Sequence, residues 1–120
     1  MDVLSFSTNW NRKLDCEVFS TIRRWNPAVH YEGREVEIWD KSSSPAKYRG
    51  RGRYEQVSEF RLHQLKPAAA MLDTGYSLPE TLNIIRTIYR DKVPNLDQAR
   101  FAYIIIRKVK IEPKQNTLQL

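Results

Sequence analysis

The chain has 120 residues, enough for one domain that buries its own core without metals or disulfides. Twenty Lys and Arg against fourteen Asp and Glu leave a net charge of +6, which favours a polyanionic partner. Cys16 is the only cysteine, and His30 and His63 stand far apart, so an intrachain disulfide and a thiolate zinc site are excluded and no metal or other cofactor is expected.

Residues 1–5 lack the basic segment and apolar run of a signal peptide, and no stretch approaches the ~18 apolar residues of a membrane span. The expectation is a cytoplasmic protein with no membrane partner. In chain order, residues 3–7 read as a first strand, and Thr8 or Asn9 caps a short helical turn over 10–14. Residues 17–25 carry Val18, Phe19, Thr21, Ile22 and Trp25, a β-favouring set closed by Asn26-Pro27. Cys16, just before them, reads as a small buried hydrophobe.

A turn over 31–34 leads to Glu35-Val36-Glu37-Ile38-Trp39, whose alternation marks a half-buried strand, with Trp39 assigned to the core. Residues 40–45 are polar loop, and 47–60 return to strand composition. Leu62, Leu65, Ala69 and Leu72 have helical spacing, which Pro67 is expected to limit or interrupt. Ser77-Leu78-Pro79-Glu80 is a capping box opening a helix to about Arg90, with Leu78, Leu82, Ile85, Ile88 and Tyr89 as its buried stripe. After a connector, the apolar run 101–106 suits a central strand extended towards 112, with 113–120 as a flexible tail. Residues 1–112 therefore form one domain: α+β, mainly β, a small barrel or curled sheet with two or three helices at one opening.

Three constellations carry chemistry. Arg49, Arg51 and Arg53 share one face of a regular strand, interleaved with Gly50 and Gly52, and form either a phosphate-tracking row or a charged, soluble edge. Thr21 and Arg23 share a strand face, with Arg24 on the other parity. An arginine fork beside a hydroxyl suits a phosphate or a planar acyl or base edge. Asp73 and Tyr76 gather before the capped helix, either as a turn and its hydrophobic staple or as ligand contacts. Trp25, beside two arginines, is the stacking candidate.

The order Leu4-Ser5-Phe6, Phe19-Ser20-Thr21-Ile22-Arg23, the helical stretch 62–89 and Phe101-Ala102-Tyr103-Ile104-Ile105 resembles the ASCH family of the PUA-like superfamily. Within it the chain is similar to the small N4-acetylcytidine amidohydrolases, whose strand reads Lys-Thr-Ile-Thr-Ile-Arg. The resemblance implies a PUA-like β-barrel. It puts the family's catalytic threonine on Thr21 and its arginine on Arg23, but its lysine on Val18 and its glutamate on Thr74. Lys13 precedes the strand and Asp73 adjoins Thr74, so a rearranged catalytic set of Thr21, Asp73 and Lys13 is the route by which hydrolysis survives. The leading expectation is an RNA- or nucleotide-binding module whose basic cleft is bounded by Thr21, Arg23, Arg24 and Asp73 and extended by Arg49, Arg51 and Arg53, with Trp25 and Tyr76 as further ligand contacts. The alternatives are an amidohydrolase acting on N4-acylated cytidine with Thr21 as nucleophile, or a protein-interaction module using the same basic face.

Overall fold

The computed structural model describes residues 1–110, so the expected tail at 113–120 and the end of the domain at 112 lie outside the described residues. Five strands form one sheet: β1 (Val3–Phe6), β2 (Val18–Arg24), β3 (Glu35–Asp40), β4 (Lys47–Phe60) and β5 (Phe101–Val109). Their order is β1-β3-β4-β5-β2, with β1 parallel to β3 and the other pairings antiparallel. The apolar run of β5 lies between β4 and β2, as its composition requires.

The sheet curls into a half-barrel because β4 is bulged twice. Between Glu37 and Trp39 the β3–β4 register slips by one, at Gly50 with φ of +98°. A second slip falls between Tyr54 and Gln56 opposite β5. Each bulge adds twist and bends the strand. Gly52 faces the concave side so tightly that a Cβ there would stand 2.6 Å from Ile106 Cγ2 and 2.9 Å from Ile38 Cδ1.

The curl brings the sheet's two edges, β1 and β2, to a seam that side chains close. Arg23 of β2 donates from Nη2 to the Ser5 carbonyl of β1 at 2.9 Å, and Phe6 meets Phe19 edge-to-face with ring centroids 6.0 Å apart. Inside the curl, Leu4, Phe19, Val36, Ile38, Tyr54 and Ile104 belong to one buried cluster. A second cluster, with Phe60, Leu62, Ala70, Ile85 and Phe101, lies under two helices, α1 (Pro67–Thr74) and α2 (Leu78–Tyr89).

Four local expectations are corrected. Pro67 opens α1 rather than interrupting a helix, because its missing N–H falls in the first turn, where no intrahelical acceptor exists. Trp39 lies outside the buried clusters, half-buried against Tyr48 with centroids 5.4 Å apart, since Val36 and Ile38 take the inward parity. Cys16 is exposed, at the end of the 3-10 turn Trp10–Asp15. On α2, Ile88 is 46% exposed while Thr81 is fully buried, so the apolar stripe is shorter than its periodicity suggests. Thr81 is accommodated because its hydroxyl meets that of Thr74 at 2.7 Å. No helix among the described residues is long and apolar enough to cross a membrane.

Candidate functional site

The seam between β1 and β2 opens into a cavity of about 150 Å³ whose wall includes Lys13, Thr21, Arg23, Asp73 and Tyr89. Five elements build it: β1, the 3-10 turn Trp10–Asp15, β2, α1 and α2. β2 carries Thr21 and Arg23 on one face, and the pair is joined by Arg23 Nε donating to Thr21 Oγ1 at 3.0 Å. Arg23 also sits over the Phe6 ring at 4.6 Å, a cation–π contact that helps hold the guanidinium at the seam. Its Nε and Nη2 are thus engaged, while Nη1 has no hydrogen-bond acceptor among the described residues.

Asp73 reaches the cavity because α1 stops one residue later. Gly75 adopts φ of +83° and its N–H closes on the Met71 carbonyl at 2.9 Å, a left-handed helix end that glycine takes without steric cost. A Cβ on Gly75 would also come within 3.0 Å of Asn11, so the same glycine lets the 3-10 turn Trp10–Asp15 dock on the end of α1. That turn is kinked: Asn11 and Arg12 have φ of 56° and 52°, and Asn9 Oδ1 accepts from the Leu14 N–H at 3.0 Å to hold it. Left-handed backbone is costly for arginine. Here it turns Lys13 inward, where Nζ donates to Asp73 Oδ1 at 2.9 Å with both side chains under 10% exposed.

Ser20 donates to the same Asp73 oxygen at 3.3 Å, leaving Oδ2 without a hydrogen-bond donor among the described residues. Burial pushes the Lys13 ammonium below the ordinary lysine value, with the nearby Arg23 charge adding to it and Asp73 opposing. Burial likewise lowers the Arg23 guanidinium, against the pull of Tyr89, Tyr54 and Asp73. The cavity therefore offers one carboxylate oxygen as acceptor, and Arg23 Nη1, the Lys13 ammonium and the Thr21 hydroxyl as donors, beside aromatic walls from Trp10 and Tyr89.

The sequence-derived candidates thus divide. Lys13, Thr21, Arg23 and Asp73 come together at one cavity. Tyr76 packs edge-to-face on Trp10 at 6.0 Å, one layer behind it, and remains 44% exposed. Trp25 is half-buried beside the ring of His30, and Arg24 is exposed. Val18 is 40% exposed and lines a separate, more apolar hollow with Leu72, while Thr74 borders the main cavity but is buried, its hydroxyl donated to the Ala70 carbonyl or shared with Thr81.

The three β4 arginines do not form one row. The bulge at Gly50 reverses parity, so Arg49 turns to the Leu14 carbonyl, Asp15 and Asp40, whereas Arg51 and Arg53 both pair with Glu35 at 2.7 and 2.9 Å. Sequence reasoning missed Ser20, Phe6 and Tyr89 as parts of the site. Their roles depend on seam closure and helix docking, which no local pattern encodes. No group of three metal-ligating side chains occurs among the described residues. Comparison with protein-family models, with curated proteins and with solved structures returns no match.

Proposed function

We propose that this chain is an ASCH-like, PUA-like domain that binds RNA or a nucleotide by taking a pyrimidine base into the β1–β2 cavity. The observation that carries the reading is convergence: polar groups from the 3-10 turn, β2 and α1 line one small hollow. A cavity of about 150 Å³ is of the size that admits a benzene-sized ring, which suits a pyrimidine better than a purine. Cytosine presents its N4 amine as a donor, with ring acceptors beside it. The open Asp73 Oδ2 and the donors of Arg23 and Thr21 match that edge in kind. The curled half-barrel with helices at one opening agrees with the resemblance read from the sequence, and the exposed thiol of Cys16 suits a reducing cytoplasm.

The test is a titration of the protein with cytidine and uridine monophosphates, followed by amide NMR. Cytidine monophosphate is expected to shift the resonances of Thr21, Arg23 and Asp73. Unmoved resonances at ~10 mM ligand, well above a dissociation constant of about 1 mM, would sink the reading.

One arrangement favours a second reading, hydrolysis of N4-acylated cytidine. Lys13, its proton affinity lowered by burial, borders the same cavity as the Thr21 hydroxyl. A lysine so placed is a candidate base for a threonine nucleophile. In the structure Lys13 donates to Asp73 and Thr21 accepts from Arg23, so the nucleophile–base hydrogen bond has to form on substrate binding. Release of acetate from N4-acetylcytidine, absent in Thr21→Ala, would establish turnover. No acetate at high enzyme concentration would eliminate it.

A further inference from the structure

The cavity does not end at its mouth. Its outer wall, made by Thr8, Trp10, Ile84 and Ile88, is also the wall of a second, open hollow of about 380 Å³. That hollow shares Asn83 and Thr87 of α2 with a third, of about 360 Å³, bordered by Arg86 and Arg90. The three adjoin through these shared residues in a line that leads from the buried site past Trp10 and the exposed Ile88, over α2, to two arginines.

Each stage of the groove has its own chemistry. The inner end is the narrowest and carries the polar groups of Lys13, Thr21, Arg23 and Asp73, and the middle offers apolar and aromatic surface where a base can stack. The outer end is cationic. Arg86 in the last turn of α2 and Arg90, which caps it in helical conformation, are one turn apart on the same side of the helix, and both are exposed. No acidic residue lines the outer hollow. The nearest carboxylate to Arg86 is Asp97, itself 82% exposed, at 3.9 Å, too loose to hold the guanidinium.

We infer that this groove is the track of a single-stranded oligonucleotide, with one pyrimidine in the cavity, a neighbouring base against Trp10 and Ile88, and backbone phosphates on Arg86 and Arg90. The inference rests on the pyrimidine-binding reading and extends it from a mononucleotide to a chain. It also moves the phosphate contacts from β4, where the arginines are tied to carboxylates, to α2. A mononucleotide fills only the inner end, so affinity is expected to rise with chain length until the outer hollow is covered.

The experiment compares cytidine monophosphate, pentacytidylate and a pentaglutamate peptide as ligands. The wild type is set beside Arg86→Glu/Arg90→Glu and a control of equal charge, Arg107→Glu/Lys110→Glu. The control sites lie towards the far end of β5, six or more residues from Phe101, the strand residue that touches Tyr89 of α2. Circular dichroism confirms folding of both variants, whose altered residues are all exposed.

The expected result is that pentacytidylate binds wild type and control alike, while the α2 variant binds it about tenfold more weakly, with a log K against log salt slope shallower by about 1.4 for two lost phosphate contacts. Cytidine monophosphate is expected to bind all three equally. Equal pentacytidylate binding by the α2 variant and the control would overturn the track while leaving the pyrimidine site intact. So would tighter binding of pentaglutamate than of pentacytidylate. Failure of both cytidine ligands to bind wild type would overturn the pyrimidine reading itself, and the track with it.

Discussion

Two strands of this sheet, β2 and β4, carry more than one arginine, and the fold treats them in opposite ways. β4 is long and exposed, and its three guanidiniums are met by Asp15, Asp40 and Glu35. β2 is an edge strand closed into a seam, and its Arg23 is half-buried against an aromatic ring and a carbonyl with one terminal nitrogen left open to a cavity. The more visible cluster in the sequence is therefore the neutralised one. Charge density along a strand reports how many cations there are; availability is decided by which carboxylates the topology sets opposite, and Glu35 lies 16 residues before Arg51.

The largest effect that would test this contrast lies in the pair that supports the seam. Asp73→Ala leaves Lys13 buried without its carboxylate and is expected to cost about 3–5 kcal/mol in urea unfolding. The double variant Lys13→Met/Asp73→Leu removes both charges and is expected to recover most of that loss. If Asp73→Ala costs no more than an exposed ion pair does, the pair is not a buried one. Next is Arg23→Ala, which loses two hydrogen bonds and the contact with Phe6. The expected cost is about 2–3 kcal/mol by chemical denaturation, larger than for any β4 arginine.

An intermediate, pH-dependent effect comes from His30, which is buried beside Trp25 and accepts the Asn26 N–H on Nδ1 at 2.9 Å. Burial, and then the positive charges of Arg34 and Arg23, push its pKa below 6.5. The unfolded chain therefore binds this proton at a higher pH than the folded one does. The stability from neutral His30 is complete above about pH 6.5 and is lost as pH falls towards the depressed folded value. The urea midpoint is expected to drop between pH 7.5 and pH 5, and His30→Gln is expected to flatten that slope. A slope unchanged by the substitution would show that other groups carry it.

How much of this was legible depended on the range of the interactions. The central strand β5, the Ser77 cap of α2 and the half-buried strand β3 were written in local patterns and stand where those patterns put them, although Glu80 reaches back to the Ser77 hydroxyl and not to its N–H. Lys13 and Asp73 were legible only as two residues near a motif, because their pairing spans 60 positions and requires the left-handed turn at Asn11 and Arg12. The strand parity of Arg49 was misread for a local reason: one bulge at Gly50 inverts every face assignment on its far side.

The smallest expected effect is the sharpest test of the β4 side of the contrast. Glu35 accepts from Arg51 through Oε1 and from Arg53 through Oε2, and both guanidiniums hold its carboxyl below the ordinary glutamate value. The Arg53 side chain is 49% exposed, so solvent screens its half of the fork, and Arg53→Ala is expected to leave the urea midpoint essentially unchanged. Arg51 is more enclosed, and its loss leaves Glu35 with one partner, so Arg51→Ala is expected to cost somewhat more, within about 1 kcal/mol. Glu35→Gln releases both arginines at once. If β4 is silent only because Glu35 occupies it, that substitution is expected to raise oligonucleotide affinity about threefold at low salt and have no effect at high salt. A protein whose binding is unmoved by Glu35→Gln, yet weakened by Arg86→Glu, carries its phosphate contacts on α2 alone.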